Sequence, residues 1–246
     1  MYTCQVIVIY QDNDIVVVNK PAGIVAHRAN LKSQISKIKN EEKELFLTDW
    51  LMEKFPEMKK VGDEPELRPG IVHRLDKDTS GVLVMAKNQK AFESLKSQFQ
   101  NREVVKKYLA LTEGNLKNDN GVIDLPIGRS ASDFRKKLAS DSAKGELREA
   151  VTEYKVLEKF PNHTFVEVYP KTGRTHQIRV HFKAIGHPVV CDSLYGGKRM
   201  TCPFGLARHF LHANFLEFVS PSGARLKLEA DLPEDLAEVL AELRKK

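Results

Sequence analysis

A chain of 246 residues, 41% of them hydrophobic, carries enough apolar material for one large domain or two packed lobes. Its 39 Lys+Arg against 33 Asp+Glu leave a net charge of +6, which favours polyanionic partners without naming one. Three cysteines without C-x-x-C spacing argue against a disulfide scaffold and for a reducing compartment. No apolar run approaches the roughly 20 residues of a membrane span, so the expectation is a soluble, cytoplasmic protein.

The chain opens with "CQVIVIYQDNDIVVVNKPAGIVAH", two β-rich runs parted by a turn at Asp12-Asn13-Asp14. The lysine-rich stretch 28–44 reads as an exposed loop or surface helix. Thr48 is a candidate cap for a helix carrying Trp50, Leu51 and Phe55. "GIVHRLDKDTSGVLVMAK" follows at 70–87, a polar run between two strand-like segments. Asn88 then predicts the cap of a helix with Ala91, Phe92, Leu95 and Phe99 on one face. "EVVKKYLALTEG" reads as a strand ending at Gly114, and "VTEYKVLEKF" with "TFVEVYP" as a strand pair. In "KTGRTHQIRVHFKAIG", Thr175 is the expected N-cap, Ile178, Phe182 and Ile185 share a face, and Gly186 is the stop. A last helix opens near Asp231-Leu232-Pro233 and carries Leu236, Val239, Leu240 and Leu243. Consecutive strands outnumber helices, which predicts an α+β fold with a largely antiparallel sheet.

The polar run "HRLDKDTSG" poses the functional question. Asp78, Thr79, Ser80 and Gly81 suit a plain turn, and the residues alone leave turn and catalytic readings both open. A calcium loop starting at Asp76 fails, because its twelfth position is Lys87 where a bidentate carboxylate is required. An aspartyl-phosphate site lacks the further carboxylates that would hold a divalent metal. His176 with His181, and His209 with His212, come without the partners of a zinc site and read as hydrogen-bonded structural groups or phosphate contacts. Phosphate-loop and dinucleotide motifs are missing from the sequence. What remains is a cofactor-independent carboxylate among arginine and lysine, which holds its ionised form and can act as nucleophile or base.

These residues resemble the signature of the RNA pseudouridine synthases of the RluA type. The similarity runs in order through "NKPAGIVAH" at 19–27, "HRLDKDTSGVLVMAK" at 73–87, "KKYLALTEG" at 106–114 and "PIGR" at 126–129. It continues through "KTGRTHQIRVHFKAIGHPVV" at 171–190, "DSLYGG" at 192–197 and "LHANFLEF" at 211–218. The resemblance implies a pseudouridine synthase fold, a mainly antiparallel mixed sheet with flanking helices and a central catalytic cleft. It implies a single catalytic domain over 1–246 in two closely packed lobes, without the separate N-terminal RNA-binding domain that relatives often carry, and a monomer acting on rRNA or tRNA. Asp76 is then the catalytic carboxylate, Tyr108 the tyrosine that stacks on the target base, and Arg179 the arginine paired with the aspartate. Arg74 fills the space left by a flipped nucleotide. His73, Lys77, Thr79, Arg129, Arg174 and His176 are the further expected RNA contacts, with the segments 28–44 and 133–148 as candidate RNA-facing surfaces.

Read from the residues, Tyr108 faces away from Leu109 and Leu111 by strand alternation, and Arg179 lies beside the apolar helix face; both positions permit the implied roles. Departures from the pattern are Cys191 where a Gly is usual, Arg28 where a Pro is common, and Ser220 where a His often precedes Pro221. The alternative from another class is a catalytically idle RNA-binding factor using the same basic residues.

Overall fold

The computed structural model describes residues 6–28, 45–133, 135–139, 143–197, 200 and 202–245. The expectation for 28–44 therefore lies, apart from Arg28, outside the described residues. The chain divides into two compact units, Met1–Val105 with Phe215–Ala230, and Lys106–Asn214 with Asp231–Lys246.

In the first unit, β1 (Ile7–Gln11) and β2 (Ile15–Lys20) pair antiparallel across the expected turn. Asp12 Oδ1 closes that turn by accepting from the backbone N–H groups of Asp14 and Ile15, both at 2.8 Å. β2 pairs in turn with β3 (Ser80–Ala86), with Val18 opposite Leu83. Helix α1 (Leu47–Lys54) starts one residue before Thr48, with Phe46 at the cap position. Thr48 is thus buried inside the first turn, its hydroxyl without a hydrogen bond among the described residues, and it is not the cap its residue type suggests. Helix α2 (Gln89–Gln100) begins as expected, with Asn88 Oδ1 accepting from Ala91 N–H at 2.9 Å. Its Ala91, Phe92 and Leu95 pack with Val17, Val82 and Val84 of the sheet and with Leu216 and Phe218. Burying each large side chain contributes about 1.5–3 kcal/mol, so this cluster anchors α2 to the sheet.

The second unit holds β4 (Val105–Glu113), β5 (Asn120–Asp124), β9 (Val151–Phe160) and β10 (His163–Pro170) in the order β4-β10-β9-β5, all antiparallel. A small sheet of β6 (Ile127–Arg129), β7 (Lys137–Leu138) and β8 (Lys144–Arg148) runs in the order β7-β6-β8. Helix α3 (Gln177–Ala184) packs Ile178 and Phe182 against Ala110, Val166 and Val168 of the main sheet, with Ile185 alongside. Gly186 ends it at φ 84°. Helix α4 (Glu234–Leu243) buries Leu236, Val239, Leu240 and Leu243 on the other layer, against Leu111, Phe165 and Phe210. β11 (Leu211–Val219) leads from this unit into the first, where its second half pairs with β12 (Arg225–Glu229). The class is α+β with a mostly antiparallel sheet. Among the described residues no helix is long and apolar enough to cross a membrane.

The expectation for the cysteines is also overturned. Cys191 and Cys202, eleven residues apart in sequence, form a disulfide. Cys191 follows a bridge between Thr112 and Val189 and takes a left-handed backbone, φ 58°, which turns the chain back so that the two Cα atoms stand 4.8 Å apart. Spacing along the sequence does not report such an approach. Glycine, the residue that the resemblance implies at this position, would adopt this positive φ without steric cost.

Candidate active site

The segment carrying Asp76 is fixed from behind. Gly70 sits at φ 67°, where a Cβ would come within 2.4 Å of the Ala86 carbonyl oxygen, so only glycine fits. From Gly70 the chain runs beside β3: Ala86 N–H donates to Gly70 O at 2.9 Å, and Ile71 bridges Met85. His73 Nε2 accepts from Val84 N–H at 3.1 Å, and its ring stacks on Phe99 with centroids 4.4 Å apart. The neutral ring thus fastens the loop to the strand and α2, a structural duty that a sequence reading as RNA contact does not anticipate. Leu75 is buried, and the turn closes with Thr79 N–H donating to Asp76 O at 3.1 Å. Asp76 and Asp78 are half-buried in this turn, Arg74 and Lys77 exposed, Thr79 buried.

The clamp that seats this turn is Lys20, a residue the sequence reading passed over. It is fully buried, 0% exposed, and its Nζ donates to the carbonyls of Pro21 (2.8 Å), Ile24 (2.9 Å) and Lys77 (3.0 Å). Gly23 N–H donates to the same Lys77 carbonyl at 3.0 Å. The "NKPAG" loop and the residue following Asp76 are therefore tied through one ammonium. A buried lysine is tolerated only when its charge is engaged by acceptors in this way.

In the second unit, strand alternation divides β4 as expected. Leu109 and Leu111 belong to the layer that meets α4, whereas Tyr108 and Ala110 belong to the layer that meets α3. Tyr108 is half-buried, so its ring edge remains on the α3 side of the sheet. Arg179 leaves α3 on its buried side, 6% exposed. Its guanidinium forks onto Asp192, Nε to Oδ2 at 2.7 Å and Nη2 to Oδ1 at 2.8 Å. Asp192 was quoted within "DSLYGG" without a role; the structure gives it one. Burial alone pushes its carboxyl upward, but the hydrogen bonds and charge of Arg179, then nearby His209 and the Tyr195 N–H, outweigh this and hold it below the usual carboxylate range.

The entry to α3 departs from the expected Thr175 cap. The cap position is His176, in the left-handed region at φ 57°, and no side chain caps there. Gln177 supplies the order: its Oε1 accepts from Thr172 Oγ1 (2.6 Å) and Arg174 N–H (2.9 Å), while its Nε2 donates to Val151 O and Thr152 Oγ1, both at 3.0 Å. Arg174 Nε donates to Glu149 O at 3.0 Å, and His176 Nδ1 meets the Tyr195 hydroxyl at 2.9 Å. His181 is wholly structural, between Thr152 Oγ1 and Leu125 O, both at 2.9 Å. On the small sheet Arg129 and Lys137 stand directly opposite each other. Burial, then the positive charges of Arg129 and Arg148, hold the Lys137 ammonium below the usual lysine range. Like charges placed face to face are unfavourable unless a polyanion screens them.

Comparison with known proteins agrees with the order of these elements. The model of a family described as RNA pseudouridylate synthase matches residues 14–184, from the start of β2 to the end of α3. The chain belongs to that family: it is an RNA pseudouridine synthase, an isomerase. An uncharacterized RNA pseudouridine synthase of Bacillus subtilis, YlyB, is 43% identical over 239 residues, covering 96% of this chain and 72% of the relative. The ribosomal large subunit pseudouridine synthase D of Pseudomonas aeruginosa is 39% identical over 248 residues, covering 96% of this chain and 71% of that protein. Among solved structures, human RNA pseudouridylate synthase domain containing 1 superposes with a TM-score of 0.71 at 28% identity, over 99% of this chain and 96% of that one.

Proposed function

We propose that this enzyme isomerises a uridine of ribosomal RNA, with Asp76 as its catalytic carboxylate. The observation that carries the choice of RNA is the match to a ribosomal large subunit synthase over 96% of the chain. The reaction breaks the bond between uracil N1 and the ribose anomeric carbon and forms one from C5 to the same carbon. C5 loses its proton to solvent and N1 gains one, so the change is balanced without electron transfer. Asp76 attacks either the anomeric carbon or the uracil ring, and the base detaches, rotates and rejoins through C5. A carboxylate presented at a turn, with its backbone clamped by Lys20, suits a nucleophile that has to stay fixed while the base moves.

Tyr108 stacks on the target base and assists removal of the C5 proton, and Arg179 is the arginine that, by the family resemblance, serves the reaction. The uridine leaves its stack before reaction, at a cost of a few kcal/mol, and Arg74 recovers part of that cost by occupying the vacancy. His73, Lys77, Thr79, Arg129, Arg174 and His176 belong to the RNA-facing set, with His73 acting through the loop it fastens. The test is to incubate the purified protein with large-subunit rRNA and with tRNA transcripts, then map pseudouridine by carbodiimide labelling and primer extension. A discrete stop in the rRNA alone is the expected result; stops in tRNA alone would overturn the choice of substrate. RNA binding without any stop in either would favour the idle RNA-binding factor.

A further inference from the structure

Asp192 is completely buried, 0% exposed, and every contact of its carboxylate is directional. Oδ2 accepts from Arg179 Nε, and Oδ1 accepts from Arg179 Nη2 and from the backbone N–H groups of Leu194 and Tyr195, both at 3.0 Å. The turn that follows Asp192 therefore sets the plane of the carboxylate, and the carboxylate sets the plane of the guanidinium. The same turn delivers Tyr195, whose ring centroid lies 5.2 Å from Arg179 Cζ. The Tyr195 hydroxyl accepts from Lys137 N–H at 2.9 Å and meets His176 Nδ1, so the ring cannot swing away from the arginine. With its Nε–Nη2 edge held by Asp192 and its face beside Tyr195, the plane of the Arg179 guanidinium is fixed.

We propose that Asp192 is a positioning residue: together with Tyr195 it fixes the direction of the Arg179 guanidinium, so that the arginine meets the reacting groups already aligned. This rests on the reading of Arg179 as an arginine that serves the reaction. A planar, bidentate carboxylate is what such a duty requires, because a guanidinium held at a single point rotates freely about it. Preorganised charge acts on the chemical step rather than on binding, so its loss is expected in kcat and not in KM.

The experiment compares wild type, Asp192→Asn, Arg179→Lys and the double variant, reading tritium release from uridine C5 in rRNA at several RNA concentrations. Asp192→Asn is expected to lower kcat by about 10–100-fold, with KM for RNA within about twofold. The double variant is expected to match Arg179→Lys, because both changes remove one alignment. Wild-type kcat in Arg179→Lys would overturn the reading of Arg179, and the proposal with it. A slow Arg179→Lys beside an Asp192→Asn of normal kcat would overturn the positioning role alone, as would losses that multiply in the double variant or a change confined to KM. If Asp192→Asn does not fold, Asp192→Glu keeps the charge but displaces the carboxylate by one methylene. A loss in kcat of about fivefold or more at unchanged KM then supports the proposal, and a wild-type kcat overturns it.

Discussion

Replacing Lys20 by methionine isolates what the buried ammonium does. The side chains are similar in length, so packing is largely kept while the donors to Pro21 O, Ile24 O and Lys77 O are removed. Pro21 and Ile24 belong to the local loop and can turn towards water. Lys77 O retains Gly23 N–H, but loses the bond that ties it to β2. Each hydrogen bond to a charged group contributes about 1.5–3 kcal/mol, and removing the buried charge returns part of its desolvation cost. A net loss of about 3 kcal/mol follows, or roughly 6–12 °C in Tm for a chain of this size. The turn holding Asp76 would also relax, and a displacement of about 1 Å costs up to about 100-fold in rate. Differential scanning fluorimetry and tritium release from uridine-labelled rRNA read the two effects separately. A Lys20→Met protein with both the Tm and the kcat of the wild type would refute the clamp.

Other outcomes follow from the same contacts. Cys202→Ser opens a loop spanning eleven residues of sequence and is expected to cost about 3 kcal/mol in urea denaturation; adding a reductant should destabilise the wild type and leave the variant unchanged. Arg129→Ala and Lys137→Ala should each reduce the slope of log binding constant against log salt by about 0.7–0.9 on structured RNA if each contacts one phosphate. An unchanged slope would remove the small sheet from the interface. His181 is held below its ordinary value of 6.5 by burial, against the smaller opposing effects of Leu125 O and Asp124. Its folded pKa is thus depressed, so its contribution is fully present above pH 6.5 and is lost as pH falls through the folded value. Tm is expected to drop between pH 7 and pH 5, and less so in His181→Gln.

What the sequence disclosed were features whose cause is local. Asn88 caps α2 because its side chain needs only the backbone three residues on, and β4 alternates because a strand has no other way to place Tyr108 opposite Leu109. The segment around Asp76 became legible only through its resemblance to a known family, since its residues alone left turn and catalytic readings both open. The supports behind that segment were not legible. Lys20 ends a strand whose first four residues are apolar, and burial of its ammonium depends on carbonyls of the following loop and of residue 77. Asp192 was visible as a letter in "DSLYGG", but its partner comes from a helix that the sequence places only by periodicity. Thr48 and Thr175 were reasonable caps by residue type; Phe46 and a left-handed His176 took those positions because burial and the Gln177 hydrogen bonds settled the helix starts. The Cys191–Cys202 pair likewise depends on a left-handed turn that spacing does not encode.

Asp76 as the catalytic carboxylate is tested most directly by tritium release from rRNA labelled at uridine C5, comparing wild type with Asp76→Asn. The substitution keeps the size of the side chain and the Thr79 N–H bond to the backbone of residue 76. Release by the wild type, with none above background from an Asp76→Asn protein that still folds and binds RNA, is the expected result. Release by Asp76→Asn at the wild-type rate would contradict it.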